Sequence, residues 1–234
     1  MTEQPALLPS GHTAVMAQRQ PTQTDSLDYF PTPPWAARAG AELIAQLDPE
    51  GLGVCWEPAF GGGHMAHGLA DYFGQVLVSD IHDHDSQGVN LLDFLSPDAD
   101  GFGGGSVDWI ITNPPFIHGE AFIRAGWKRA RRGVAMLLRL AFIETIGRYR
   151  LHVEDCPLTL LAPFSERVPM VKGRWDPDAS SATAYAWFIY AKGAAGPTRL
   201  QLVPPGSAAR LARPDDLVRF AGAAPQGNLF SERP

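Results

Sequence analysis

Val54-Cys55-Trp56-Glu57-Pro58-Ala59-Phe60-Gly61-Gly62-Gly63-His64 runs from a short apolar segment into three consecutive glycines. The apolar part, from Gly53 to Glu57, reads as a buried strand, and Met65 to Phe73 reads as a helix. Glycines at such a strand-to-helix turn permit positive φ and let a ligand approach the backbone closely. The same run is also what an ordinary tight turn looks like. A phosphate cradle would close the loop with Gly-Lys-Ser/Thr, and a dinucleotide site would space its glycines as Gly-x-Gly-x-x-Gly; neither pattern is present. Glu57, at the strand end, points to a ligand bearing a cation or hydroxyls. His64 is expected to open the helix rather than to act in catalysis.

Outward from this loop the pattern keeps alternating. Apolar residues at spacings of three and four predict a helix from Trp35 to Leu47. Gln75 to Asp80, Val107 to Thr112 and Gly133 to Leu140 read as buried strands. Gly119 to Arg132 and Phe142 to Leu151 read as helices. Two later strands, Leu158 to Ala162 and Ala184 to Ala191, flank a long polar loop. A short strand from Arg199 to Val203 and a short helix from Pro214 to Phe220 complete the set. Such alternation implies a mostly parallel sheet with helices on both faces, whose sites lie at the carboxyl ends of the strands. The chemistry-bearing residues fall there. Asp80 could accept from ribose hydroxyls or cap a helix. Asp93 beside Phe94 could accept from an adenine amino group or serve a turn. The strand Asp108-Trp109-Ile110-Ile111-Thr112 stops at Asn113-Pro114-Pro115-Phe116, because two prolines cannot continue a ladder.

The series Glu57-Pro58-Ala59-Phe60-Gly61-Gly62-Gly63, Asp80, Asp93-Phe94 and Asn113-Pro114-Pro115-Phe116 resembles the class I S-adenosylmethionine-dependent methyltransferases. More narrowly it resembles those acting on adenine N6 in DNA. The likeness spans roughly residues 28 to 191. It implies an α/β, Rossmann-like methyltransferase fold, with a mostly parallel seven-stranded sheet and S-adenosylmethionine as cofactor. It implies cofactor contacts at Tyr29, Phe30, Thr32, Glu57, Pro58, Gly61, Gly63, Asp80, Ile81, Asp93 and Phe94. The Asn113 side-chain oxygen and the Pro114 carbonyl would hold both N–H bonds of the target amine, with Pro115 stiffening the turn and Phe116 stacking on the base. Serine usually replaces this asparagine in cytosine-N4 enzymes, so adenine is favoured. RNA adenine and a protein glutamine amide pose the same planar-amine problem and stay open as acceptors. A non-catalytic module that binds the cofactor is the remaining alternative.

Composition sets limits on partners. The chain has 234 residues and a formal net charge of −6, so contact with a polyanion requires a local basic face. Lys128, Arg129, Arg131 and Arg132 form one basic group. Arg167, Lys172, Arg174 and Trp175, in the loop from Pro163 to Thr183, form another that suits phosphate contact with base stacking. Cys55 and Cys156 read as buried free thiols. His82-Asp83-His84-Asp85 lacks the spacing of a metal site, so no metal is expected. The stretch 1–26 reads as a flexible arm, 27–203 as the catalytic domain and 204–234 as a flexible tail. Within that tail Gln226-Gly227-Asn228-Leu229-Phe230 resembles the bacterial sliding-clamp-binding peptide, with Gln226, Leu229 and Phe230 as anchors. The absence of a leader-like or membrane-spanning apolar run predicts a cytoplasmic protein.

Overall fold

β1 (Val54–Glu57) lies inside one sheet, paired in parallel with β2 (Gln75–Asp80) on one side and with β4 (Trp109–Thr112) on the other. The two-residue β3 (Asn90–Leu91) closes the edge beyond β2. On the far side follow β5 (Gly133–Arg139), the antiparallel β7 (Tyr185–Ala191), β6 (Leu160–Pro163) and the short β8 (Arg199–Leu200). The order is therefore β3-β2-β1-β4-β5-β7-β6-β8, with every strand but β7 pointing the same way. This is the mostly parallel arrangement expected from the alternation and the Rossmann-like one that the resemblance implies, with eight strands rather than seven. The extra one is β3, whose polar, two-residue length gives no periodic signal. The computed structural model describes residues 29–50, 52–84, 88–179 and 182–220.

Helices cover both faces of the sheet, which explains why its central strands are apolar throughout. Successive side chains point to opposite faces. Ala135, Leu137, Trp187 and Ile189 thus face α1 (Pro34–Leu47) and α2 (His64–Leu69), while Val134, Met136, Leu138, Ala186 and Phe188 share a core with Phe122 and Ile123 of α3 (Gly119–Arg129). α1 packs closely because Gly40 lies against the Trp187 indole, whose Nε1 donates to the Ala36 carbonyl at 3.0 Å. Cys55 and Cys156 are buried free thiols; burial pushes Cys156 up to about 11.

The structure departs from the sequence reading in four further places. The helix expected from Phe142 to Leu151 is broken. A 3-10 turn ends at Ile143, Thr145 takes φ 103°, and only α4 (Ile146–Arg150) is α-helical before a π turn. The chain beyond 204 is not a tail as far as Phe220. α5 (Ser207–Leu211) and α6 (Pro214–Phe220) dock on α1, where the buried Arg38 binds the Leu211 carbonyl, Asp71 and both oxygens of Asp216. The loop after β6, read as polar, carries an apolar anchor, since Val168, Met170 and Trp175 are buried in it. Finally, the basic group at 128–132 is neutralised by acids. Lys128 and Arg129 pair with Asp100, Arg131 with Asp108, and Arg132 with Asp48, Glu50 and Asp108. Arg131 and Arg132 precede β5, at the amino edge of the sheet. No described helix is long and apolar enough to cross a membrane. The expected arm at 1–26 and the peptide at Gln226, Leu229 and Phe230 lie outside the described residues.

Candidate active site

At the carboxyl edge, the ends of β1, β2 and β4 surround a cleft in two parts. The inner part, about 90 Å³, is lined among others by Tyr29, Phe30, Thr32, Glu57, Gly61, His64, Asp80 and Asn113. The outer part, about 340 Å³, is lined by Pro58, Ile81, Leu92, Asp93, Phe94, Ile117 and Phe122. Ala59, Asp80, Ile81, His82 and Pro115 border both, so the two parts form one elongated trough across the ends of β1 and β2.

The glycine loop takes the backbone that its sequence permits. Gly61 and Gly63 have φ of 55° and 80°, and a Cβ on Gly61 would collide with the Tyr29 ring while one on Gly63 would meet Phe60. The amides of the loop are aimed by two side chains. Gly61 donates to Asp80 Oδ2 at 2.8 Å, and Gly62 donates to the Tyr29 hydroxyl at 3.0 Å. Asp80 Oδ1 accepts from the His82 amide at 2.9 Å. The carboxylate is thereby held rigidly at the strand end, and each oxygen keeps a second lone pair for a ligand hydroxyl. Ile81, next in the chain, is 59% exposed and offers an apolar surface over the trough.

Glu57 is 2% exposed, and its Oε2 has no hydrogen-bond partner among the described residues. Burial, reinforced by the nearby Asp80 carboxylate, raises its carboxyl well above the usual range. Its surroundings call for a cation or a donor. His64 opens α2 as expected, but its ring lines the inner cavity and stacks on Phe220 at 4.2 Å. Burial holds it neutral, lowered to about 4.

Asn113 ends β4 at the inner cavity. Its Nδ2 donates to the Phe30 carbonyl at 3.0 Å and to the Thr32 hydroxyl at 3.1 Å, with the Met170 sulfur at 3.8 Å. Three acceptors around one end fix the amide's orientation. Its Oδ1 is buried with no hydrogen-bond partner among the described residues. An acceptor oxygen with its donor end already anchored is suited to grip an N–H brought by a ligand. The segment from Tyr29 to Thr32 is itself held by the late loop, where the Gly173 amide donates to the Tyr29 carbonyl at 2.9 Å. Phe116 lies between Phe30, 5.1 Å away between centroids, and the Arg139 guanidinium, 4.0 Å from its ring centre.

Several expected contacts sit differently. The Phe94 ring is buried against Trp56 and Phe122 and lines the outer part of the cleft. Asp93 is exposed and spends one oxygen on the Leu95 amide, a turn contact that leaves the other available. Trp175, expected as an exposed stacking residue, is instead 8% exposed and stands edge-on to His64 at 6.3 Å. Arg167, Lys172 and Arg174 are exposed, and Arg174 pairs with Asp176. His64 and His84, read from the sequence as a helix opener and as part of a polar run, line the inner cavity, and His84 stacks on Tyr29 at 4.6 Å. Met170, which stands in no motif, reaches Asn113 through the fold. Among the described residues, one grouping could offer metal ligands, His67 with Asp215 and Asp216. Both Asp216 oxygens already bind the Arg38 guanidinium, so that corner is an ion-pair lock.

The sequence matches no protein-family model and no curated protein. Solved structures give distant likenesses. A protein of Pyrococcus horikoshii assigned as an RNA methyltransferase is 15% identical, covering 67% of this chain and 81% of its own, at a TM-score of 0.48. An S-adenosylmethionine-dependent methyltransferase of Leishmania major is 12% identical, covering 66% and 71%, at 0.46. The 23S rRNA methyltransferase ErmE is 20% identical, covering 68% of each chain, at 0.42. At that distance nothing about cofactor, reaction or acceptor passes from these proteins to this one.

Proposed function

We propose that the protein transfers a methyl group from S-adenosylmethionine to a planar amino group, with adenine N6 in DNA as the acceptor. The observation that carries this reading is the Asn113 side chain, at the wall of the inner cavity, whose amide nitrogen is tied down while its buried oxygen has no partner among the described residues.

The residues of the trough fit the cofactor. The orphaned Glu57 Oε2 suits its ammonium group, the glycine backbone lets it lie close, and Asp80 with Ile81 suits a ribose and the base beyond it. When bound, the cofactor supplies an electrophilic methyl on a sulfonium. The chain's own work is positioning. Asn113 Oδ1 and the Pro114 carbonyl accept the two N–H bonds of the amine, orient its lone pair and stabilise positive charge as it develops on nitrogen. No strong base is required, because the proton becomes acidic only after the new bond forms. A base from duplex DNA would have to leave the stack to reach Asn113. The peptide around Gln226, Leu229 and Phe230 would bring the enzyme to a sliding clamp and so to DNA.

The test is an acceptor screen with methyl-labelled cofactor against DNA, RNA and protein extract, followed by nucleoside analysis. Label in N6-methyladenine from DNA, lost in Asn113→Ala, supports the reading. Label confined to RNA or to glutamine would replace the acceptor, and tight cofactor binding with no transfer to any acceptor would replace the enzyme.

A further inference from the structure

Arg131 and Arg132, at the amino edge of the sheet, are paired with carboxylates. At the carboxyl edge Arg139, Arg148 and Arg167 have no carboxylate within ion-pair distance among the described residues. Instead Arg139 rests on Phe116, and Arg148 rests on Phe142 at 4.1 Å with a hydrogen bond to its carbonyl. Arg167, after β6, donates to the Ala182 carbonyl at 3.1 Å. Glu166, which could have paired with that arginine, is spent on the amides of Gly206 and Ala208.

We propose that Arg139 selects a polynucleotide acceptor by taking a phosphate of the strand that carries the target base. This inference rests on the proposed function and names the residue that reads the acceptor class. Arg139 ends β5, the parallel neighbour of the strand that delivers Asn113, and its guanidinium covers one face of the Phe116 ring. Phe30 lies beside the same ring, and a base stacking on the face that Arg139 covers has to displace the guanidinium. The guanidinium gives up little in moving, because an exposed cation–π contact is weak, whereas a charge-assisted bond to phosphate is strong. A glutamine side chain would displace the arginine without offering it an anion. A nucleotide brings the phosphate with the base, and Arg148 and Arg167 continue the same cationic edge.

The experiment measures binding and transfer separately, with adenine-containing single-stranded DNA and RNA of the same sequence, for the full chain and for Arg139→Ala, Arg139→Lys and Arg131→Ala. Arg139→Ala is expected to weaken oligonucleotide binding about tenfold and to reduce the slope of log Kd against log salt by about 0.7. The lysine variant keeps the slope, since it keeps the charge. Arg131→Ala, whose partner lies at the other edge, changes neither. Wild-type affinity and slope in Arg139→Ala would overturn the inference, and so would failure of the full chain to bind either strand. If Arg139→Ala weakens binding but no polynucleotide is methylated, the functional reading fails and the phosphate contact stands. If transfer to DNA proceeds equally in both proteins, the reverse holds.

Discussion

Thr32 and Asn113, far apart in the chain, meet at 3.1 Å, hydroxyl to amide nitrogen, in the wall of the inner cavity. The contact decides which end of the amide faces a ligand. With its nitrogen engaged by Thr32 and the Phe30 carbonyl, Asn113 can present only its oxygen. The segment before α1 thus sets the chemistry of a turn after β4.

Asn113→Ala is therefore expected to reduce methyl transfer about 10²–10³-fold, the loss typical of one preorganised polar group aimed at developing charge. Cofactor affinity should stay near wild type. Thr32→Val removes one of the anchors and should cost less, about tenfold, because the Phe30 carbonyl still holds the nitrogen. Single-turnover rates and cofactor titration check both. Equal rates in wild type and Asn113→Ala would remove Asn113 from the reacting centre.

Glu57 gives a pH prediction. Burial and Asp80 raise its carboxyl well above the usual range, so the folded protein without a cation in the site holds that proton more tightly than the unfolded chain does. The associated stability is fully present below the ordinary carboxylate pKa and is lost as pH rises through the raised value. Glu57→Gln should flatten that decline in thermal midpoint. A cationic ligand prefers the ionised form, so cofactor affinity should rise with pH over the same window, with proton release detectable by calorimetry in two buffers. In Glu57→Gln the affinity should fall at least tenfold and lose its pH dependence. A wild-type affinity that is flat across the window contradicts this role.

Local pattern made β1, the glycine turn and the stop at Asn113-Pro114-Pro115 legible, because strand, turn and proline signals act within a few residues. What it concealed was set at long range. Nothing near Asn113 says that Thr32 will orient it, and nothing near Trp175 says that it will be buried beside His64. The basic run at 128–132 looked like a nucleic-acid face. Its acids, Asp48 and Asp108, arrive from elsewhere in the chain. The helix expected from Phe142 failed for a more local reason, a positive φ at Thr145 that its side chain does not advertise.

Gly40 and Gly147 should respond oppositely to alanine. A Cβ on Gly40 would enter the Trp187 indole and disturb its bond to the Ala36 carbonyl. Overpacking of about 1–3 kcal/mol outweighs the gain in helix propensity of about 1 kcal/mol. Gly147, exposed in α4, meets nothing within 4 Å, so only the propensity gain applies there. Denaturant unfolding of the two variants should move the midpoint down for Gly40→Ala and slightly up for Gly147→Ala. A neutral Gly40→Ala would mean that α1 can lift from β7 at little cost.

Arg38 joins α1 to α6, and its loss should be the most damaging single change outside the cleft. Its side chain is 1% exposed, with both Asp216 oxygens bound at 2.6 and 2.8 Å and Asp71 at 2.6 Å. Burial pushes the Asp216 carboxyl up, but Arg38, with the Arg213 amide and His67, more than offsets this and holds it below the usual range. That contribution is present above the ordinary aspartate pKa and lost as pH falls through the lowered value. Arg38→Met strands a buried carboxylate, at a cost of about 3–5 kcal/mol, or roughly 10 °C in thermal midpoint for a domain of this size. Protease cleavage between α5 and α6 should appear at the same time. The double variant Arg38→Met/Asp216→Leu removes the charge as well as its partner and should recover most of the loss. If the double variant is no better than Arg38→Met, the damage comes from lost packing around Arg38, and the ion pair is not what fastens residues 207–220 to α1.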